Sequence, residues 1–135
     1  MNVLLYAVNS SAAQSAAAHA ALKDAYEKGP VALCWPALLG FLRLSTRAGI
    51  LPRPLQVQDA LEVMRVWLEH PGSVQVQATP QHAAILGGLL LGAGQGGPLV
   101  SDAHLAALAI EHGATLMSFD GDFSRFAGLR FKHLR

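Results

Sequence analysis

The strongest constraint on this chain is an alternation of short, uninterrupted apolar runs with longer segments of helical pattern. The runs are Val3 to Val8, Val31 to Cys34, Ala114 to Met117 and a last short one at Leu129 to Phe131. A strand covered on both faces has no solvent side, so it reads as a continuous apolar run. Helices between such strands return the chain across a sheet face, which makes the strands run parallel. The expected architecture is therefore α/β: a three-layer α/β/α sandwich around a central, mostly parallel sheet. With 135 residues, a single compact domain over 1–135 is expected.

Local signals punctuate this pattern. Val3 to Val8 is read as a buried strand, and Asn9-Ser10-Ser11 as the N-cap of an Ala-rich helix over Ala12 to Lys28 that stops at Gly29-Pro30. Pro36 suits a first helical turn, followed by the stripe Leu38, Leu39, Leu42 and Thr46. Gly49 to Pro54 reads as a loop. Val57, Leu61, Met64 and Leu68 then recur at i, i+4, i+7 and i+11, the spacing of one helix face, until Pro71-Gly72. Ser73 to Gln77 alternates as an edge strand does. Pro80 to Ala93 has helical pattern despite Gly87, Gly88 and Gly92, and Gly94 to Pro98 is a glycine-rich loop. Ser101 or Asp102 is expected to cap the next helix, whose buried face is Leu105, Leu108, Ala109 and His112, closed by Gly113.

Composition excludes several classes. Hydrophobic residues make up 52% and charged residues 14%, which suits a packed core and not a disordered tail. The single Cys34 cannot form an internal disulfide and reads as a buried thiol, consistent with a reducing cytosol. The start has no basic segment or cleavage site of a signal peptide, and the longest apolar stretch, around Ala83 to Ala93, is too short and glycine-broken to span a bilayer. A cytoplasmic protein without membrane partners is expected. Net charge is only +1, so no bulk electrostatic case for nucleic acid exists. Arg125, Arg130, Lys132 and Arg135 gather near the C-terminus, with Arg43, Arg47 and Arg53 as a looser group. They read as a solvated face or as a phosphate-contacting edge.

The chemistry-bearing residues are acidic. Asp120 and Asp122 follow the strand ending at Met117, and Asp102 stands near the start of the preceding helix. In a parallel sheet, strand ends and helix starts share the edge where sites form. Three carboxylates brought together cannot all stay ionised without a cation. Mg²⁺ or Mn²⁺ suits such an all-oxygen set and keeps waters that can attack a phosphodiester. Duller explanations exist: Asp102 as an N-cap, and Asp120-Gly121 as an ordinary turn. The six histidines have no metal-ligand spacing, no Gly-x-Ser-x-Gly elbow occurs, and Gly94-Gln95-Gly96-Gly97-Pro98 matches neither phosphate-binding fingerprint. Trp35 and Trp67 fit packing better than base stacking.

Asp102-Ala103-His104-Leu105-Ala106-Ala107-Leu108-Ala109, Glu111-His112-Gly113-Ala114-Thr115-Leu116 and Ser118-Phe119-Asp120-Gly121-Asp122-Phe123 resemble the C-terminal signature of VapC-type PIN domains. Phe126-Ala127-Gly128-Leu129-Arg130 fits as well. Asn2-Val3-Leu4-Leu5-Tyr6-Ala7-Val8 is similar to their first strand, and Trp35-Pro36-Ala37-Leu38-Leu39-Gly40-Phe41-Leu42-Arg43 to their second helix. The resemblance implies the toxin of a toxin–antitoxin pair, an endoribonuclease that hydrolyses RNA with Mg²⁺ or Mn²⁺. It further implies a homodimer held inactive by a VapB-like antitoxin. Asp102 and Asp120 match two of the family's four acids, Asp122 is an additional one, and Asn2, Ser118 and Arg43 are read as supporting residues.

Two positions depart from the family pattern. The first strand usually reads Asp-x-Asn; Asn2 matches the asparagine, Met1 falls on the middle position, and the aspartate is expected just upstream in the DNA. Gly40 stands where glutamate is usual. Arg43, one helical turn on, is read equally as a pocket-facing or a surface arginine. Fewer carboxylates draw a divalent cation less strongly, so a weak, millimolar site is expected. The competing reading is a catalytically impaired PIN domain that binds antitoxin or RNA without cutting. A phosphoacceptor using Asp120 would need a strand-end lysine, and Lys23, Lys28 and Lys132 are poorly placed for that.

Overall fold

A computed structural model describes residues 2–135. The chain forms two compact units, one running to Gln75 and including Arg135, the other Val76–Leu134. The first holds helices α1 (Asn2–Val8), α2 (Ser15–Lys28), α3 (Trp35–Ser45) and α4 (Val57–Glu69), with strands β1 (Val31–Leu33) and β2 (Ser73–Gln75). The second holds helices α5 (His82–Ala93) and α6 (Leu99–Glu111), strands β3 (Thr115–Ser118) and β4 (Arg130–His133), and a 3-10 turn at Gly121–Arg125. The fold is the expected mixture of helices and parallel strands. β1 pairs in parallel with β2, Val31 opposite Ser73 and Leu33 opposite Gln75. β3 pairs in parallel with β4, Thr115 opposite Arg130 and Ser118 opposite His133.

The first apolar run is a helix and not the expected strand. Its buried residues are Val3, Leu4 and Ala7, the i, i+1, i+4 spacing of a helix face, whereas a strand would alternate or be covered throughout. A run this short does not reveal its period, and leucine and alanine favour helix. Leu4 joins Leu33, Leu38, Phe41 and Ala60 in the core of the first unit. Trp67 borders that core and meets Phe41 edge-on, ring centroids 4.9 Å apart. Trp35, in contrast, is 45% exposed, and Cys34 is only partly buried. Met1, on which the expected upstream aspartate turns, lies outside the described residues.

Three boundaries move in ways that matter. The N-cap position of α2 is Gln14, without a side-chain cap bond, so Asn9-Ser10-Ser11 does not start that helix. α6 begins at Leu99, with Pro98 at the cap position. Proline is suited to this place because an N–H there would have no helical partner. Asp102 is therefore inside the first turn and does not cap it. The last strand extends beyond Phe131 to His133.

The core of the second unit joins Leu89 of α5 with Leu99, Ala103, Ala106 and Ala107 of α6 and with Phe123 and Phe126. Alanines on the buried face of α6 let it approach its neighbours closely. Gly113, at φ +63°, turns the chain from α6 toward β3 in a left-handed conformation that a side chain would oppose. These features set Asp102 at one end of α6 and return the chain through β3 to Asp120 and Asp122.

Candidate functional site

The acid site is built within the second unit. Asp102 is held in the first turn of α6, where the helix N-terminus favours negative charge. Its flanking Ala103 and nearby Ala106 are fully buried, so the helix cannot rotate without disrupting the core. Asp120 follows β3 and caps the 3-10 turn by accepting a hydrogen bond from Asp122 N–H at 2.9 Å. Buried Ser118, at the end of β3, accepts from Asp120 N–H at 3.0 Å. The turn is thus tied through both of its aspartates, while Phe123 anchors it in the core. The turn reading of Asp120-Gly121 is correct as local structure, and it leaves the carboxylate with an oxygen not used by Asp122 N–H.

The electrostatics connect the three acids. Burial pushes the Asp102 carboxyl above its ordinary range, and the negative charges of Asp120 and then Asp122 push it further. Arg125 opposes the shift. Its guanidinium lies 3.6 Å from Asp122 Oδ2, and its Nε donates to the Asp122 carbonyl at 3.1 Å. Asp102, its charge disfavoured by two neighbouring carboxylates with one arginine as partial relief, stands in a site short of positive charge. No group of three His, Cys, Asp or Glu side chains is disposed to hold a metal among the described residues. The donor chemistry nevertheless fits a hard cation, because Mg²⁺ usually takes one or two carboxylates, several waters and substrate phosphates in place of an all-protein cage.

The supporting residues divide. Ser118 is at the site through its bond to Asp120. Asn2 opens α1, and Arg43 is exposed in the last turn of α3, both in the first unit. Buried Gly40 lies on α3 as well.

Two features were missed in the sequence. Glu111, its side chain 1% exposed, engages His82 Nδ1. It also accepts from Thr79 N–H at 2.8 Å and Thr79 Oγ1 at 2.7 Å. His82 Nε2 in turn meets His104 Nδ1 at 2.8 Å. This network ties the start of α5 to α6. His104 and Glu111 are two helical turns apart on one face, a spacing that could have signalled it. The second is His133, which β4 sets beside the acid turn.

The PIN domain family model matches residues 2–129. Ribonuclease VapC37 of Mycobacterium tuberculosis is 44% identical over 131 residues, covering 96% of this chain and 91% of the relative. This chain belongs to the PIN-domain family, among the VapC ribonucleases. Ribonuclease VapC33 of the same species is 41% identical over 132 residues, covering 97% of this PIN domain and 92% of the relative. A solved structure of VapBC2 from Rickettsia felis, bound to a DNA fragment from their promoter, contains a chain that superposes with a TM-score of 0.72. At 17% identity, with 99% of this chain and 95% of that one covered, it supports the PIN fold. No helix among the described residues is long and apolar enough to cross a membrane.

Proposed function

We propose that this chain is the endoribonuclease toxin of a toxin–antitoxin pair, hydrolysing RNA phosphodiester bonds with Mg²⁺ or Mn²⁺ held by Asp102, Asp120 and Asp122. The observation that carries this reading is the PIN-domain match over residues 2–129 together with VapC ribonucleases at 44% and 41% identity; the Asp102 carboxyl, raised by burial and by the two turn aspartates, agrees with it. Such an arrangement opposes stability and is relieved by a divalent cation. The VapC names of the relatives support the reaction, and the VapBC2 complex supports a VapB-like antitoxin as partner. The family match across 2–129 supports a single functional domain. A homodimer in the cytoplasm completes the proposal.

In this mechanism Asp102 would supply an oxygen donor from the end of α6, and Asp120 and Asp122 would supply donors from the 3-10 turn. Ser118 holds the Asp120 backbone, and Arg125 limits repulsion at Asp122. When bound, the cation would supply Lewis-acid charge to the phosphodiester and activate water as the nucleophile. Asn2 and Arg43 are proposed as supporting residues, Arg43 by contacting RNA phosphate.

The test is RNA cleavage across Mg²⁺ and Mn²⁺ titrations, with Asp102→Asn in parallel. Metal-dependent cleavage that the substitution removes supports the proposal; equal cleavage by both chains refutes it. The lack of a three-ligand group among the described residues favours a second reading, a PIN domain that binds antitoxin or RNA without cutting. Retained binding with no cleavage under either metal would select that reading.

A further inference from the structure

We propose that His133 is a positioning residue for the acid turn: from β4 it sets the Asp120-Gly121-Asp122 backbone and thereby the spacing of the two carboxylates. The proposal rests on reading Asp120 and Asp122 as metal ligands and adds a residue outside the acidic set.

Three contacts place His133. Its Nε2–H donates to the Phe119 carbonyl at 3.1 Å, immediately before Asp120. Its ring lies against Gly121, where a Cβ would come within 3.0 Å of His133 Cε1. The opposite constraint comes from Phe131, on whose ring the imidazole stacks with centroids 5.7 Å apart and planes 21° apart. Phe131 in turn packs at 5.9 Å from Phe123, the turn's own core anchor. The strand register prevents His133 from drifting, because it stands opposite Ser118 and Leu134 N–H donates to the Ser118 carbonyl at 2.8 Å.

The acid turn is therefore bounded on both sides of its chain path. Ser118 and the Asp120 carboxylate tie its amides from within, while His133 holds the Phe119 carbonyl and covers Gly121 from outside. Gly121 carries no positive φ, so a side chain there would meet the imidazole, which would have to give by a few tenths of an ångström, and not a backbone penalty. Two ligands separated by one residue are sensitive to this because a small peptide rotation between them changes the distance between their oxygens. A first turn of 3-10 helix has few hydrogen bonds of its own to resist that rotation.

Four single variants of the full chain, His133→Ala, His133→Gln, His133→Phe and Gly121→Ala, and the double variant that combines the two alanines test the proposal. Mn²⁺ affinity is measured by electron paramagnetic resonance of the free ion, without RNA. Amide exchange of Asp120 and Asp122 is followed separately by NMR without metal. His133→Ala is expected to weaken Mn²⁺ binding about three- to tenfold and to speed exchange of both amides by a similar factor. Amides of the β3–β4 ladder should stay protected. Glutamine restores a donor toward Phe119 and should recover most of both losses; phenylalanine restores the ring alone and should recover less. Gly121→Ala should be damaging beside His133 and nearly neutral in combination with His133→Ala.

Unchanged Mn²⁺ affinity and exchange in His133→Ala would overturn the proposal, as would equal recovery by glutamine and phenylalanine. If the unaltered chain binds no Mn²⁺, the ligand reading of the acids fails. The exchange measurement then still decides His133: unchanged rates overturn its positioning role, and selective acceleration upholds its hold on the turn.

Discussion

Replacing Asp102 with asparagine should remove activity and yet stabilise the chain. Two effects act on this carboxylate. The first turn of α6 favours its charge by about 0.3–1 kcal/mol. Burial and the charges of Asp120 and Asp122 disfavour it, and they raise the carboxyl in spite of Arg125. Each like-charge contact in a solvent-screened setting is about 0.2–1 kcal/mol. Two such contacts and partial burial, less the helix term, leave a relief of about 1 kcal/mol for Asp102→Asn at neutral pH, or about 3–5 °C in Tm. A carboxyl raised by folding leaves stability intact below its unfolded pKa, near 3.9, and lowers it as pH rises toward the folded value. The advantage of asparagine should therefore be absent below about pH 4 and full at pH 7. Urea denaturation at both pH values measures it. A metal titration supplies the reverse sign: at ten times its Kd, a cation stabilises the unaltered chain by about 1.4 kcal/mol, enough to overtake the variant. RNA cleavage should meanwhile fall about 100-fold or more. A variant that is less stable at pH 7, or whose advantage does not change with pH, would refute the charge conflict as the basis of the site.

The other expectations concern what holds the site in place. Glu111→Ala removes the acceptor for Thr79 N–H and the partner of His82, and a loss of about 2 kcal/mol in urea denaturation is expected, with cleavage per folded molecule unchanged. Burial alone would raise the Glu111 pKa, but the Thr79 and His82 hydrogen bonds outweigh it and lower it. The stability it contributes is present above its unfolded pKa and should be lost as pH falls through the folded one, a slope that the alanine variant should lack. Ser118→Ala withdraws the acceptor of Asp120 N–H and should cost about 1 kcal/mol while raising the metal concentration needed for half-maximal cleavage; an unchanged metal requirement would separate Ser118 from the site. Gly113→Ala, at φ +63°, should lower stability by about 1 kcal/mol without altering metal dependence, read by denaturation and metal titration together.

Helices with a clear stripe were legible in the sequence. The spacing of Val57, Leu61, Met64 and Leu68 marks α4, and Pro36 and Gly113 mark where α3 begins and α6 closes. The run Val3 to Val8 was misleading because apolar residues without polar neighbours carry no period. The capping role expected of Asp102 was wrong, since proline at the N-cap position moved the helix start ahead of it. The six histidines, judged by metal spacing alone, hid two contacts made across elements. His82 finds Glu111 from another helix, and His133 reaches the acid turn only because β4 runs on to it. Such pairings depend on strand register and helix packing, which local sequence patterns do not specify.

The same charge conflict determines how metal and RNA should depend on each other. On the proposed function, three carboxylates and one nearby arginine would attract a divalent cation without a closed set of ligands. Coordination positions left to water are open to a phosphate oxygen of the substrate. An RNA phosphate that occupies one of them strengthens cation binding, and by linkage the cation must strengthen RNA binding by the same factor. The arginine sharpens this dependence. Arg125 lies beside Asp122, so it can exchange a carboxylate for the entering phosphate as the cation takes over neutralisation of the aspartates. Weak affinity for metal alone is thus compatible with effective cleavage, since the substrate completes the site. The apparent metal requirement should fall as RNA concentration rises, whereas a preassembled metal cage would require the same metal at every RNA concentration.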